Sequence, residues 1–425
     1  MSELGESPLA AGERSISVAD ARAAIAAALR PITDTQTVPL LQATGRVLAA
    51  DVVSPIDVPA HDNSAMDGYA FDGRALVANE ETVLRNVGIV YAGTPFAARI
   101  GNGECLRIMT GAVMPPGLDT VVPQELCKVD GETVRIAPGV LKTGENRRLR
   151  GEDLASGKPA VRAGRLLRPA DLGLVASLGI GELTVFRRLR VALFSTGDEI
   201  CTLGQPLDPG CVYDSNRYSL QAALQRLGMD VIDLGLVRDD PATLQATLEA
   251  AVAQADVVLT SGGVSVGDAD HTRAVLARMG EVSFWKVAMR PGRPFAFGPL
   301  SRGADQPPSW LFALPGNPVA ALVTFYAFAR QALLQLAGAT PIAPLPLLQA
   351  RCTAPIRKRP GRTEFQRAIV EAAADGGWQV RLTGSQGAGV LRSMSEANAL
   401  LVLRHEQGSV AAGDLVDCWL FDGLV

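Results

Sequence analysis

The sequence predicts a multidomain α/β protein built around a central doubly wound α/β domain, with a β-rich domain before it and a small β-domain after it. Three observations carry this. From Arg190 to about Gly338, short β-branched apolar runs alternate with amphipathic helical segments, the pattern of a mostly parallel sheet with helices on both faces. From about Asp72 to Arg148, and again after Ala343, short alternating runs are separated by turn residues, as in antiparallel β structure. The length of 425 residues accommodates three or four cores of ordinary size.

In chain order, the first predicted element is a helix over residues 17–30. Ser17 caps it, Asp20 stands three residues on, Val18, Ala21, Ile25 and Leu29 recur at helical spacing, and Pro31 stops it. Residues 60–70, Ala-His-Asp-Asn-Ser-Ala-Met-Asp-Gly-Tyr-Ala, read as too polar and turn-rich for a core element, hence an Asx-rich turn or a site. Strands are expected around 104–109, 120–123 and 133–136, with Thr110 and Gly111 opening a loop between two of them. Arg147, Arg148 and Arg150 read as a solvated charge run, and residues 169–178 as a short helix.

In the central region, Val191–Phe194 is a predicted strand, followed by Ser195-Thr196-Gly197-Asp198-Glu199 and a helix starting near Asp214. Residues 231–237 form the next strand, and Arg238-Asp239-Asp240-Pro241 opens a second helix with an acidic cap and a proline in its first turn. Asp256-Val257-Val258-Leu259 then runs into Thr260-Ser261-Gly262-Gly263-Val264-Ser265-Val266-Gly267-Asp268-Ala269-Asp270, a buried strand ending in a ligand loop with a helix starting near Asp270. Residues 283–288 and 295–297 are strands on either side of the stiff basic turn Arg290-Pro291-Gly292-Arg293-Pro294. Residues 310–314 enter Pro315-Gly316-Asn317-Pro318 and a long apolar helix to about Leu336. Five strand-like runs, at 347–356, 365–370, 378–382, 399–403 and 416–420, make up the last domain.

This topology predicts the site. Loops at the carboxyl ends of parallel strands share one edge of the sheet, and ligands bind there. Glu199, Asp239, residues 261–270 and residues 315–318 are thereby expected in one cleft, with the Arg290–Arg293 turn joining them if the strand order allows. Glycines followed by hydroxyls let backbone N–H groups approach an anion, so Ser261, Gly262, Gly263 and Ser265 suit a phosphate. Arg290 and Arg293 would supply fixed cations. Each of Glu199, Asp239 and Asp270, taken singly, reads as a helix cap. Together on one edge they suit Mg²⁺ held by one or two carboxylates and substrate phosphates. Neither a P-loop nor a G-x-G-x-x-G fingerprint is present. Gly263-Val264-Ser265-Val266-Gly267 also matches a hydrolase nucleophile elbow, but the three histidines, His61, His271 and His405, offer no well-placed base; acyl transfer ranks below phosphate binding.

The formal charge of −4 gives no electrostatic case for nucleic acid or an anionic membrane as main partner. No run of membrane-spanning length and no signal pattern are read in the sequence. The six cysteines, at 105, 127, 201, 211, 352 and 418, form no C-x-x-C pair and suit a reducing, cytoplasmic setting.

In combination, D-N-S-A-M-D-G-Y-A from Asp62, M-T-G-A from Met109, G-E-D from Gly151, S-T-G-D-E from Ser195, Y-D-S-N-R from Tyr213, R-D-D from Arg238, S-G-G-V-S-V-G-D-A-D from Ser261, R-P-G-R-P from Arg290 and L-P-G-N-P from Leu314 resemble the molybdopterin molybdenumtransferase family (MoeA and the E domain of gephyrin) over essentially the full chain. The resemblance implies insertion of molybdate into adenylated molybdopterin with release of AMP, dependent on Mg²⁺. It implies an elongated homodimer, with residues 1–56 and 150–187 as the dimerisation domain, 57–149 as an inserted β-rich domain, 188–338 as the molybdopterin-binding-like α/β domain and 339–425 as a C-terminal β-barrel. The protein that adenylates molybdopterin is an expected partner. Asp62, Asp67 and Thr110 would reach the cleft from the second subunit. Glu199, Asp239 and Asp270 would handle metal and phosphate, Ser261–Ser265 the pterin-side phosphate, and Lys286, Arg290 and Arg293 the anions, while Pro315 and Pro318 shape the wall. The basic turn departs from the family in carrying arginines where lysines are frequent, and Val113 stands where proline is common.

Overall fold

The computed structural model describes residues 15–263 and 269–424, with the side chains of residues 269–271 outside that description. Its centre is a seven-stranded sheet. Arg190–Thr196 pairs in parallel with Asp230–Val237 on one side and Val257–Ser261 on the other, and Val257–Ser261 pairs in parallel with Ser309–Leu314. Pro294–Leu300 is antiparallel to both Ser309–Leu314 and Ser283–Val287. The chain therefore moves outward from Arg190–Thr196 to Asp230–Val237, then crosses to the opposite side with Val257–Ser261. That reversal puts the topological switch point between Thr196 and Ser261, where open α/β sheets bind ligands.

The helices form where the capping residues specify them. Asp214 accepts from Arg217 N at the start of Ser215–Arg226, and Asp240 accepts from Thr243 N at the start of Pro241–Gln254, with Pro241 in the first turn. One face of the sheet is covered by Leu244, Leu248, Val252, Val275 and Leu276. The other packs Leu220, Leu224, Val319, Val323 and Phe328 against Phe295, Phe312 and Leu314.

The long apolar helix overturns one expectation. Pro318–Leu336 is, by its 19 residues and mean hydropathy of 1.4, long and apolar enough to cross a membrane, and 78% of it is buried inside the protein. Its composition reflects a core position: Phe328 stacks on Phe295 with ring centroids 5.1 Å apart. The helix passes from α to π geometry over Phe325–Ala329 and back to α over Arg330–Leu336.

The N-terminal segment is woven through later parts of the chain. Ser17 caps Val18–Ala28 as expected, and the two residues before it, Ser15–Ile16, extend the central sheet alongside Lys286–Val287. Thr35–Pro39 pairs with Glu182–Phe186, and Val52–Val53 with Pro159–Val161. Between these lies a six-stranded sheet in the order 120–123, 68–71, 104–108, 82–90, 133–136, 127–130. Here the reading of residues 60–70 as wholly outside the core is corrected. Gly68–Phe71 is a fully buried interior strand, and a Cβ at Gly68 would lie 1.9 Å from Val122 O, so the glycine permits close strand pairing. The basic residues that follow the sheet, of which Arg147–Arg148 pairs with Asn63–Ser64, are ion-paired: Arg148 to Glu152 at 2.8 Å and Arg150 to Asp57 at 2.6 Å.

The C-terminal strands 363–372, 378–382, 348–352, 415–420 and 399–403 pair in that order, and 399–403 returns to 363–372 to close a five-stranded barrel. Met289–Arg290, at the start of the basic turn, pairs with Thr363–Glu364 and ties the barrel to the central domain.

Candidate active site

The sheet edge gathers what the sequence scattered. Thr196, Val237, Ser261 and Leu314 end neighbouring parallel strands. Ser283–Val287 runs the same way, because Pro294–Leu300 is antiparallel to it and to Ser309–Leu314. The turn carrying Arg290 and Arg293 consequently lies at the same edge as Glu199, Asp239 and residues 315–318.

The switch point is built on two glycines. Gly262 has φ +99° and Gly263 φ +70°, and a Cβ on Gly262 would lie 2.2 Å from Thr196 O. Only glycine allows this approach. Gly262 N donates to Leu314 O at 3.1 Å, so its N–H is spent on the wall. Ser261 is buried, accepts from Asn216 Nδ2 at 2.6 Å and donates to Pro315 O at 3.5 Å. Its hydroxyl holds the loop in place.

Asn216 was not singled out by sequence reasoning, although it stands in the matched segment Tyr213–Arg217. From the first turn of its helix it also donates to Gly316 O at 2.6 Å, and its own Oδ1 is buried without a partner among the described residues. The helix start is fixed from beneath. Ser195 Oγ donates to buried Asp214 at 2.9 Å, Arg217 Nε donates to Asp214 at 3.0 Å, and Arg217 Nη1 meets Asp233 at 2.5 Å.

The carboxylates divide their work. Asp240 caps the helix, which leaves its exposed neighbour Asp239 to accept from Thr196 Oγ1. Asp239 N donates to Asp198 Oδ1 at 3.4 Å. Glu199 is exposed on the adjacent strand end, with its carboxylate folded back to within 2.7 Å of where a Gly197 Cβ would stand. Asp270 lies in the first turn of Ala269–Met279, while its side chain and the whole of Ser265 fall outside the described residues. Among the described residues no cluster of three His, Cys, Asp or Glu side chains is placed to hold a metal. Glu199 and Asp239 are hard oxygen donors on neighbouring strand ends, which fits an Mg²⁺ ion completed by substrate phosphate.

Arg290 and Arg293 are exposed. Gly292 between them has φ +94°, and a Cβ there would lie 2.3 Å from Thr324 Oγ1, so the turn is pressed against the core helix. Lys286 is half-buried in the adjoining strand. Pro315 is buried in the wall and Pro318 occupies the first helical turn. A cation missed by sequence reasoning lies near Arg290. Arg367 is fully buried in the barrel, donates to Ser393 Oγ and to Gly387 O, each at 2.9 Å, and leaves Nη1 without a partner among the described residues. Burial, and then the charge of Arg290, push its guanidinium down to about 10. Nothing in Phe365-Gln366-Arg367-Ala368 distinguishes this arginine from one on an ordinary solvent face.

Asp67 and Thr110 are brought together elsewhere, while Asp62 has basic partners of its own. Thr110 donates to Asp67 Oδ1 from both N, at 2.7 Å, and Oγ1, at 2.6 Å. These bonds, with the Arg107 charge, hold the Asp67 carboxyl below its usual range. Asp62 accepts from Arg150 N at 2.8 Å and pairs with Arg147 at 3.5 Å. Among the described residues no hydrogen bond or ion pair links this group to Glu199, Asp239 or residues 261–263. His405 belongs to the C-terminal barrel, where its carbonyl accepts from Lys358 Nζ and Gly361 N.

A glycine cradle at the switch point of a doubly wound sheet, flanked by carboxylates and a basic turn and joined to a closed barrel, defines a multidomain α/β protein with a ligand cleft at the edge of its central sheet. Three family models match the chain in succession: the MoeA N-terminal region (domains I and II) over residues 16–179, the probable molybdopterin binding domain over 192–335, and the MoeA C-terminal region (domain IV) over 349–421. A molybdopterin molybdenumtransferase from Haemophilus influenzae is 40% identical over 393 residues, covering 92% of this chain and 95% of that protein. Molybdopterin molybdenumtransferase 2 from Mycobacterium tuberculosis is 37% identical over 401 residues, covering 92% and 95%. A crystal structure of the molybdopterin biosynthesis moeA protein from Pyrococcus horikoshii OT3 superposes with a TM-score of 0.80 at 27% identity, covering 96% of this chain and 100% of that one. The chain belongs to the molybdopterin molybdenumtransferase (MoeA) family, a family of transferases.

Proposed function

We propose that this chain inserts molybdate into adenylated molybdopterin in molybdenum cofactor biosynthesis, releasing AMP. The observation that carries the proposal is the meeting, at one sheet edge, of the Gly262–Gly263 cradle, the carboxylates Glu199 and Asp239, and the basic turn of Arg290 and Arg293. An oxyanion metal and a phosphorylated pterin are both anionic, so a productive encounter needs fixed cations and backbone donors beside the group that cleaves. In this reading the loop after Ser261 holds the pterin-side phosphate, and Arg290 and Arg293 draw in molybdate. Asp239, kept in place by Thr196, and Glu199 would hold Mg²⁺, which when bound neutralises charge on the phosphoanhydride. Catalysis then rests on proximity and charge neutralisation.

We further propose that the working form is a homodimer in the cytoplasm, in which Asp62, Asp67 and Thr110 of one subunit complete the cleft of the other. Asp67 is held by two hydrogen bonds from Thr110, and Asp62 by Arg150 N and Arg147, a preorganisation of polar groups that supports this reading.

The test is cofactor synthesis in cells lacking their own enzyme. The wild-type chain is expected to restore molybdoenzyme activity and an Asp239→Ala variant, expressed at the same level, to fail. Failure of the wild-type chain to restore it would instead favour a non-catalytic pterin carrier, and full restoration by the variant would remove Asp239 from its proposed role.

A further inference from the structure

Asp230–Val237 is the edge strand of the central sheet, and its ladder is with Arg190–Thr196. The register of that ladder shifts once. Leu193 pairs with Asp233 but Phe194 pairs with Gly235, so Leu234 is an extra residue, a β-bulge, and Thr196 ends opposite Val237. The shift decides which side chain reaches the site, because Asp239 stands two residues past the partner of Thr196. Without the bulge Thr196 would face Leu236, and Arg238 would stand two residues past that partner. A guanidinium would then take the place of the carboxylate that accepts from Thr196 Oγ1. The apolar pattern does not choose between the registers. The slip would set Leu236 in the place of buried Val237 and Leu234 in that of Gly235, and an edge strand has no second neighbour to hold it.

Polar contacts make the choice. Asp233 Oδ1 accepts from Gly235 N at 2.9 Å across the bulge, and Asp233 Oδ2 accepts from Arg217 Nη1 at 2.5 Å. Arg217 is buried and donates from Nε to Asp214 at 3.0 Å, and Asp214 accepts from Ser195 Oγ at 2.9 Å. One guanidinium thus joins the bulge to the strand it pairs with. Gly235 has φ +75°, with nothing within 4 Å of where its Cβ would stand, so the glycine serves the backbone conformation of the bulge and relieves no crowding. We infer that Arg217 and Asp233 are positioning residues of the reaction: they pin the bulge at Leu234, and the bulge brings Asp239 rather than Arg238 to Thr196. This deepens the function proposed above and rests on it wherever AMP release or metal binding is the readout.

The experiment takes the full chain with Asp233→Ala or Arg217→Ala, each alone and each combined with deletion of Leu234. The readouts are the strand register in a crystal structure, Mn²⁺ affinity by electron paramagnetic resonance, and molybdate-dependent AMP release at varied Mg²⁺. Each single substitution is expected to set Thr196 opposite Leu236, and to weaken Mn²⁺ binding and raise the Mg²⁺ requirement about 10–100-fold. Deleting Leu234 removes the extra residue, so a ladder without a bulge again puts Val237 opposite Thr196. Both properties are then expected to return to within about three-fold of wild type, well short of the loss a misplaced metal ligand causes. A role in stability alone would not be repaired by taking a residue out. Val237 still opposite Thr196 in the single variants, or a folded double variant no better than its parent, would overturn the inference. Should the single variants not fold, Gly235→Ala and Gly235→Asn decide the matter, because asparagine adopts positive φ far more readily than alanine. Alanine is expected to weaken Mn²⁺ binding more than asparagine does, and equal affinities would overturn the inference. Absence of AMP release from the wild-type chain would defeat the transferase reading, and the register in the crystals would still decide the positioning claim.

Discussion

Asn216 Nδ2 lies 2.6 Å from Ser261 Oγ and donates also to Gly316 O at 2.6 Å, so one amide ties together a helix start, the cradle strand and the Leu314–Pro318 loop. Replacing it with alanine would leave a buried hydroxyl and a carbonyl without their donor, at a cost of about 1–3 kcal/mol. Asn216→Ala and Asn216→Asp are both expected to lower kcat/KM by roughly ten-fold or more while retaining native circular dichroism. The aspartate variant is informative because it keeps the shape and loses the donor.

Gly262→Ala should be among the most damaging small substitutions in the chain. Its Cβ would stand 2.2 Å from Thr196 O at φ +99°, and the clashing atom is backbone, which cannot rotate away. The expected outcome is a loss of about 2 kcal/mol or more in stability together with loss of pterin binding, read by thermal unfolding and by titration with molybdopterin.

If each cleft is completed by a second subunit, two inactive variants should complement each other. Asp67→Ala and Asp239→Ala disable different halves of the proposed site, so a mixed dimer contains one cleft with both halves intact. Equal mixtures, unfolded and refolded together, are expected to recover roughly a quarter of wild-type activity, because half the dimers are mixed and each has one sound cleft. Recovery of none would place both carboxylates in one subunit's site.

Asp256 makes a prediction about acid. It receives a two-point contact from Arg187, at 2.6 and 2.9 Å, and Arg190 N at 2.9 Å, while Arg187 also holds Asp34 of the N-terminal segment at 2.7 Å. Burial alone would raise the Asp256 carboxyl, but the hydrogen bonds of Arg187 and Arg190 N and the arginine charges outweigh it and leave the pKa depressed. A depressed carboxyl contributes stability that is fully present above its unfolded value of about 4 and is lost as pH falls through the folded pKa. Asp256→Asn is expected to cost about 3 kcal/mol at neutral pH and to flatten the acid dependence. The urea midpoint followed by Trp285 and Trp310, which lie in the same sheet, measures both.

The central sheet was legible because its signals are local. Val191–Phe194, residues 231–237 and Trp310–Leu314 are apolar runs bounded by charge or turn residues, and Asp214, Asp240 and Pro241 mark helix starts by chemistry that acts within one turn. Once that order was read, Glu199, Asp239, Ser261 and Pro315 fell on one edge by topology. What escaped depends on partners distant in sequence. Ser15–Ile16 is a strand only because Lys286 and Val287 lie beside it, and Gly68–Phe71 looks like a turn until Val122 and Leu106 flank it. Asn216 and Arg367 belong to the same class: each matters through a buried contact that no periodicity encodes.

The central claim is that AMP leaves only when molybdate is taken up. A single-turnover measurement follows AMP release from adenylated molybdopterin and Mg²⁺ with the protein in excess, with and without molybdate. The account predicts release that requires molybdate and matches, mole for mole, the molybdenum retained on the pterin. AMP appearing at the same rate without molybdate would contradict it.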